Sequence, residues 1–361
     1  MGEPLSPATE ALRFPVPVPP EPGKTVEIAP GVHWLVTSLP FRLRAINLWL
    51  LRDGDGWTMI DCGFPLPEVR EQIEAAWRAT LGGLPITRLF VTHHHPDHVG
   101  NSRWVCERWG IRPTITGGER ERALKLMGSQ WAEESAHRIA FWRLHGLSEA
   151  AAANINEHWS RHRHHFRPVP EEWNQVGDGD WLSIGGARWQ VIVAQGHAHA
   201  QALLHSPERN VLISGDQVLS KITPNVSVFG DRPDSEPLSL FLASNRRLAQ
   251  SCGDVLVLPS HNRPFMGLHA RIREIEAHHH ERLAKIEAEL DSNPMTAADL
   301  LPELFGDGLN GHEIGFAIGE VIAHLHHLVA EGRAATIERN GTILFARVGP
   351  PKRVVMLNDE A

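Results

Sequence analysis

Tyrosine is absent from this 361-residue chain, so no site in it can use a phenolic hydroxyl. Cysteine is scarce. Cys62, Cys106 and Cys252 are the only three, and they are scattered. That excludes a disulfide framework, and simple packing accounts for Cys62 and Cys106. No apolar run reaches the roughly 18 residues that a membrane span needs. The opening Met1-Gly2-Glu3-Pro4 has neither a basic start nor an apolar core, so no signal peptide is read and the cytoplasm is the expected location. Basic charge is short as well. The chain carries 35 Lys+Arg against 43 Asp+Glu, a formal net charge of −8, which speaks against a broad nucleic-acid footprint. What is present suffices for a core: 42% of residues are hydrophobic and 12 are Trp. The length holds one large domain and a small one.

Histidine is unusually frequent, with 23 copies. The segment Thr92-His93-His94-His95-Pro96-Asp97-His98 reads as HxHxDH. It follows Ile86–Val91, an apolar stretch that reads as a buried strand, and Asp97-His98-Val99-Gly100-Asn101 opens a helix. Open α/β sheets place ligands at such strand ends. Imidazole nitrogen and carboxylate oxygen are ligands that zinc accepts. His93 and His95 are placed to grip one metal, and Asp97 and His98 a second. With so many histidines, clusters also arise without a site. His158–His165 and His278-His279-His280 are read as solvated helical faces. The HxHxDH segment differs because three more strand ends follow it with metal-competent residues. These are Gly196-His197, Ser214-Gly215-Asp216 and Pro259-Ser260-His261.

Together these motifs resemble the metallo-β-lactamase-fold hydrolases, over residues 27 to 265 with 119–170 inserted. The resemblance implies a mixed α/β fold, the αββα sandwich of that family. It implies two zinc ions per chain, with iron or manganese as alternatives. His93, His95 and His197 would hold the first, and Asp97, His98 and His261 the second. Asp216 would bridge them, with Asp97 and Asp216 as the catalytic carboxylates. His94 faces away in this pattern. Asp61, in Met59-Ile60-Asp61-Cys62-Gly63, matches an early strand-end carboxylate that orients ligands from behind. One segment departs from the family pattern. In Gly196-His197-Ala198-His199-Ala200-Gln201, His199 replaces a Pro and Gln201 stands where an outer His is usual. His197 follows the Gly directly and is the preferred ligand; His199 is left as a supporting donor or a substitute ligand. The lack of Tyr sets the chain apart from two branches. Quorum-signal lactonases use a Tyr hydroxyl near the metals, and glyoxalase II enzymes use Tyr to hold glutathione. Trp residues are available instead to line a pocket.

The organisation expected along the chain is a Pro-rich arm over 1–25, a catalytic domain over 26–265 and a C-terminal module over 266–361. Residues 67–80 read as a helix with Val69, Ile73, Ala76 and Trp77 at helical spacing. The helical insertion, 119–170, carries Trp131, Phe141, Trp142, Leu144, Leu147, Trp159 and Phe166. It reads as a lid shaping an apolar substrate pocket, with a homodimer-forming helical pair as the alternative. In the tail, helices over 264–290, 296–305 and 312–331 precede a hairpin signal at Arg339-Asn340-Gly341. That order resembles the winged-helix domain appended to one branch of the family. The segment 312–331 is poor in Lys and Arg, so it lacks the phosphate and base contacts of a recognition helix. The module is therefore read as a packing or dimerisation element.

The resemblance implies a dinuclear zinc hydrolase that attacks a carboxylic ester or thioester with a water activated between the metals. A small-molecule acyl substrate suits an apolar, Trp-rich lid. The alternatives are a phosphodiesterase or RNA endonuclease, a mononuclear-iron sulfur dioxygenase, β-lactam hydrolysis and dehalogenation. A binding protein that keeps only the fold is disfavoured by the intact ligand set.

Overall fold

The structure, a computed structural model, describes residues 12–128, 131–161, 163–306 and 308–349, and of 131–134 the backbone alone. Residues 1–11 of the expected N-terminal arm, His162 and the side chain of Trp131 lie outside the described residues. The chain divides into two compact units. One comprises 1–133, 160–226 and 239–276, the other 134–159, 227–238 and 277–361.

The first unit contains two sheets. The larger runs in the order β1 (Thr25–Ala29), β2 (Val32–Ser38), β3 (Ala45–Asp53), β4 (Gly56–Ile60), β5 (Ile86–Phe90), β6 (Pro113–Thr116) and β7 (Asn174–Val176). Its strands pair antiparallel as far as β4 and parallel from β4 to β7. The second sheet contains β8 (Trp181–Ile184), β9 (Ala187–Ala194), β10 (Gln201–Ser206), β11 (Val211–Gly215) and β12 (Leu256–Pro259), in the order β12-β11-β10-β9-β8. Only β11 and β12 are parallel there.

Apolar side chains from both sheets make the layer between them: Trp34, Trp49, Ile60 and Phe90 from one, Trp189, Val191, Leu204, Ile213 and Leu258 from the other. Trp34 and Trp49 stack at 6.1 Å. The outer face of the larger sheet buries Leu48, Met59, Leu89 and Val91 with Val69 and Ile73 of α1 (Pro67–Ala79). A Pro at the start of α1 suits its first turn, where no N–H partner is needed. Further helices of this unit are α2 (Pro96–Val99), α3 (Ser102–Trp109) and α4 (Gly117–Met127). Three of the tryptophans serve the core. Trp34, Trp49 and Trp189 are fully buried between the sheets, because a Trp contributes more apolar area to a core than any other side chain.

The second unit is mainly helical: α5 (Trp131–Leu144), α6 (Glu149–Ser160), the later part of α8 (Leu268–Leu290), α9 (Leu301–Phe305) and α10 (Gly311–Ala330). α7 (Pro237–Ser251) belongs almost wholly to the first unit. A hairpin of β13 (Ala334–Arg339) and β14 (Thr342–Arg347) is the last element among the described residues. Its turn is Asn340-Gly341, with φ of 52° and 72°, the left-handed pair that a tight two-residue hairpin requires. α10 starts at a capping box between Asn310 and Glu313, and most of its length from Gly315 to Leu328 is buried. Residues 134–159 of the insertion belong to this unit, and its two ends to the first. Trp142 meets Trp159 at 5.4 Å, and Trp159 meets Phe316 of α10 at 5.3 Å. Phe141 and Trp142 are buried core residues, while Leu144, Leu147 and Trp159 are half-buried. One expectation is corrected here: in His278-His279-His280, His279 is fully buried against α10, and only His280 faces solvent. The three residues follow one another, so their side chains fan about 100° apart around the helix, and one of them must face inward.

Candidate metal centre

The HxHxDH segment lies where β5 ends. Its backbone leaves the sheet at Val91, turns through His93–His95 and enters α2 with Pro96 at the first helical position. Four other loops of the first unit bring their residues to the same point. β4 ends in Asp61, β9 in the Gly196-His197 turn, β11 in Gly215-Asp216 and β12 in Ser260-His261.

Three ring nitrogens converge. His93 Nε2 lies 2.9 Å from His95 Nδ1 and 3.2 Å from His197 Nε2. These three and Asp216 form one group fit to hold a metal; Asp97, His98 and His261 form a second. Asp97 Oδ2 is 3.4 Å from His261 Nε2 and 3.7 Å from His98 Nε2. Asp216 Oδ2 reaches both groups, 3.4 Å from His197, 3.6 Å from His98 and 3.5 Å from His261, each at Nε2.

The ring orientations are set from behind, which is how metal-binding imidazoles are held in one tautomer. His197 Nδ1 donates to the Asn225 carbonyl at 2.8 Å, and His261 Nδ1 to that of Ala45 at 3.1 Å. His98 Nδ1 donates to Asp61 Oδ2 at 2.7 Å. Asp61 also accepts from the Thr92 backbone N–H at 2.7 Å and from the Thr92 hydroxyl, and that hydroxyl lies 3.0 Å from His93 Nδ1. One carboxylate therefore braces ligands of both groups. Asp61 does so from a left-handed backbone, φ 60°, a conformation uncommon outside Gly and Asn/Asp that is found at functional sites.

The donor set suits a divalent cation. His98 Nε2 and Asp216 Oδ1 are buried without a hydrogen-bond partner among the described residues, and such atoms normally find one. Burial drives His93 and His95 well below the ordinary imidazole range and lowers His197, so their lone pairs are available. Burial opposes charge on Asp216 too, yet His261 and His98 hold it well below the usual carboxylate range. Asp97 is held at about 2, against its burial, by His98 and His261. His261 is raised to about 10, again against its burial, chiefly by Asp216. The protons that pair these groups in the metal-free chain sit on nitrogens that a cation would take.

Gly196 could not be another residue. Its φ is +112°, and a Cβ there would lie 2.3 Å from that of Phe241. Of the two residues left open, Gln201 is fully buried behind Asp216, accepting from its backbone N–H at 3.3 Å. His199 is outside both groups; its ring meets that of His94 edge-on at 6.2 Å. His94 points away from the converging nitrogens to Glu119, a residue that sequence reasoning missed. Glu119 Oε2 lies 2.5 Å from His94 Nδ1 and accepts from the His94 backbone N–H at 2.9 Å, while Oε1 accepts from that of Ala200 at 2.7 Å. It ties the HxHxDH turn to the loop that carries His197. Burial disfavours its charge, but His94 and these backbone donors bring it down to about 2. A lone Glu at a helix start carries no motif, so nothing in the sequence marks it.

A two-sheet α/β sandwich with paired His/Asp groups at its strand ends defines a metal-dependent enzyme scaffold. Residues 42–261 match the Metallo-beta-lactamase superfamily, and residues 283–348 match the Metallo-beta-lactamase-like, C-terminal domain. The chain belongs to the metallo-beta-lactamase superfamily and is a metallo-hydrolase of it. Its tail is described by the second match. A beta-lactamase domain protein from Burkholderia ambifaria, solved by crystallography, is 38% identical with a TM-score of 0.86, covering 94% of this chain and 99% of that one. A metallo-beta-lactamase family protein from Thermus thermophilus is 29% identical, TM-score 0.73, covering 89% and 100%. Among curated proteins, the probable metallo-hydrolase YqjP of Bacillus subtilis is 23% identical over 85% of this chain and 94% of its own length. The acyl-coenzyme A thioesterase MBLAC2 of Gallus gallus is 24% identical over 52% of this chain and 63% of its own. A hydroxyacylglutathione hydrolase of Acaryochloris marina is 28% identical over 36% and 46%. No helix among the described residues is long and apolar enough to cross a membrane.

Proposed function

We propose that the chain is a dinuclear zinc hydrolase of carboxylic thioesters or esters, with thioesters as the main class. One observation carries the reading: Asp216 Oδ2 lies within 3.6 Å of ring nitrogens from both ligand groups, the position of a bridging carboxylate. His93, His95 and His197 would hold the first ion, and Asp97, His98 and His261 the second. When bound, the pair of ions supplies an acidified water and polarises the carbonyl under attack. The rest falls to the chain's own residues. Asp61 keeps His98 and, through Thr92, His93 in one tautomer. Asp216 and Asp97 orient the nucleophilic water by accepting its hydrogen bonds. Asp97 is the more exposed carboxylate, 19% against 8%, and carries the proton toward the leaving group. A thiolate leaves with little such help, because a thiol ionises near about 8.5.

Two curated relatives are named for thioester hydrolysis, which favours this class over phosphodiesters. Without Tyr, a glutathione moiety would have to be held by other residues than in glyoxalase II enzymes. Residues 26–265 form the catalytic domain in this reading, and the winged-helix-like tail serves packing rather than DNA recognition. The test is a hydrolysis panel on zinc-loaded full-length protein: an acyl-coenzyme A, an acylglutathione, p-nitrophenyl acetate and single-stranded RNA. Thioester turnover that disappears in Asp216→Ala is expected. RNA cleavage alone, or thioester turnover that survives Asp216→Ala, overturns the proposal.

A further inference from the structure

We propose that His279, Glu320 and His324 form a second, separate binding site for one zinc-type divalent transition ion, within the helical unit. Their ligand atoms lie within 4.8 Å of one another, and all three residues are buried. Glu320 and His324 are one turn apart on α10, so both side chains leave the same face of the helix. His279 comes from α8.

Three features distinguish this group from a chance contact. The first is tautomer control. His324 Nδ1 donates to the Glu320 backbone carbonyl at 2.7 Å, which leaves the Nε2 lone pair directed at His279, as the ligands of the main site are directed. The second is spacing. His279 Nδ1 and His324 Nε2 are 3.1 Å apart. Two nitrogens bound tetrahedrally to one zinc, at about 2.0–2.1 Å each, lie about 3.3 Å apart. In the main site His93 and His197 stand at 3.2 Å, much the same separation. The third is burial. His279 and His324 are fully shielded from solvent, so an ion between them would be held away from water. Arg282, which stacks over Phe305 at 4.5 Å, pairs with Glu320 through Oε1, and the pairing orients the carboxylate.

Imidazole pairs with a carboxylate select zinc, cobalt or nickel over calcium and magnesium, which prefer all-oxygen shells. An ion there clamps α8 to α10. The alternative occupant of this geometry is a plain hydrogen bond from His279 Nδ1–H to His324 Nε2.

Crystals of the full-length protein grown with zinc, measured on both sides of the zinc absorption edge, separate the two. An anomalous peak within bonding distance of His279 Nδ1 and His324 Nε2 is expected. Its absence overturns the proposal and leaves the hydrogen bond, whatever the main site holds. In solution, His324→Gln should bind one zinc fewer per chain than the wild type, with thioester turnover unchanged. Equal zinc contents overturn the proposal. The crystallographic result uses the unaltered chain, so it stands even where the variant does not fold.

Discussion

Glu119 gives a prediction whose size follows from the structure. Its carboxylate is fully buried, and it accepts from two backbone N–H groups and faces His94 Nδ1. Glu119→Gln keeps the shape but replaces an acceptor oxygen with an N–H donor, so at least one of those buried donors loses its partner. An unsatisfied buried donor costs about 1–3 kcal/mol. The carboxylate itself yields a comparable figure. It falls from 4.5 to about 2 on folding, which corresponds to about 3 kcal/mol at about 1.4 kcal/mol per pH unit. The folded value lies below the unfolded one. The stabilisation is therefore complete above pH 4.5 and drains as the pH falls toward 2. Urea unfolding of chelator-treated protein measures this without metal linkage. The variant should be about 3 kcal/mol less stable at pH 7, with the gap closing by about 1.4 kcal/mol per pH unit once the pH drops below the free carboxylate value. A gap under about 0.5 kcal/mol at pH 7, the scale of an ordinary surface substitution, refutes the reasoning. So does a gap that stays constant as the pH falls from 4.5 toward 2.

Other expectations address the site and the helical unit. Asp61→Asn should lower zinc affinity or activity about 10- to 100-fold, the usual cost of losing a carboxylate behind a ligand; metal titration and turnover check it, and a wild-type value in both contradicts it. Gly196→Ala should unfold at markedly lower denaturant, by more than about 1–3 kcal/mol, because it adds a left-handed strain to a 2.3 Å clash with Phe241. A variant of unchanged midpoint would show that the loop yields freely. His279 and His324 are held neutral, at about 2 and about 3. The unfolded chain takes up protons first as pH falls below about 6.5, so metal-free protein should lose stability from there downward. His324→Gln should flatten that slope, and an unaltered slope in urea titrations between about pH 6.5 and about pH 4.5 counts against it.

The strand-end motifs were legible because metal chemistry fixes both residue type and place. HxHxDH, Gly-His and Ser-Gly-Asp each set ligands at a turn that leaves a strand, and the structure brings His93, His95, His197 and Asp216 within one group. The Arg339-Asn340-Gly341 hairpin was legible for a similar reason, since φ of 52° and 72° leaves few residue choices. Apolar residues carry less information. A Trp in sequence does not reveal whether it lines a pocket or fills a core, and Trp34, Trp49, Trp142 and Trp189 fill cores. Glu119 and His279 were invisible for a related reason. Their roles arise from partners 25 and 45 residues away, His94 and His324, and no local pattern encodes those pairings.

The proposed site holds two ions and hydrolyses thioesters. The most direct measurement is the zinc content of the wild-type chain against a His93→Ala/His98→Ala double variant, with acyl-coenzyme A turnover followed on the same samples. A difference of two zinc ions per chain, with turnover confined to the wild type, is predicted. A difference of one ion, or a wild type that carries iron and hydrolyses no thioester, contradicts the account.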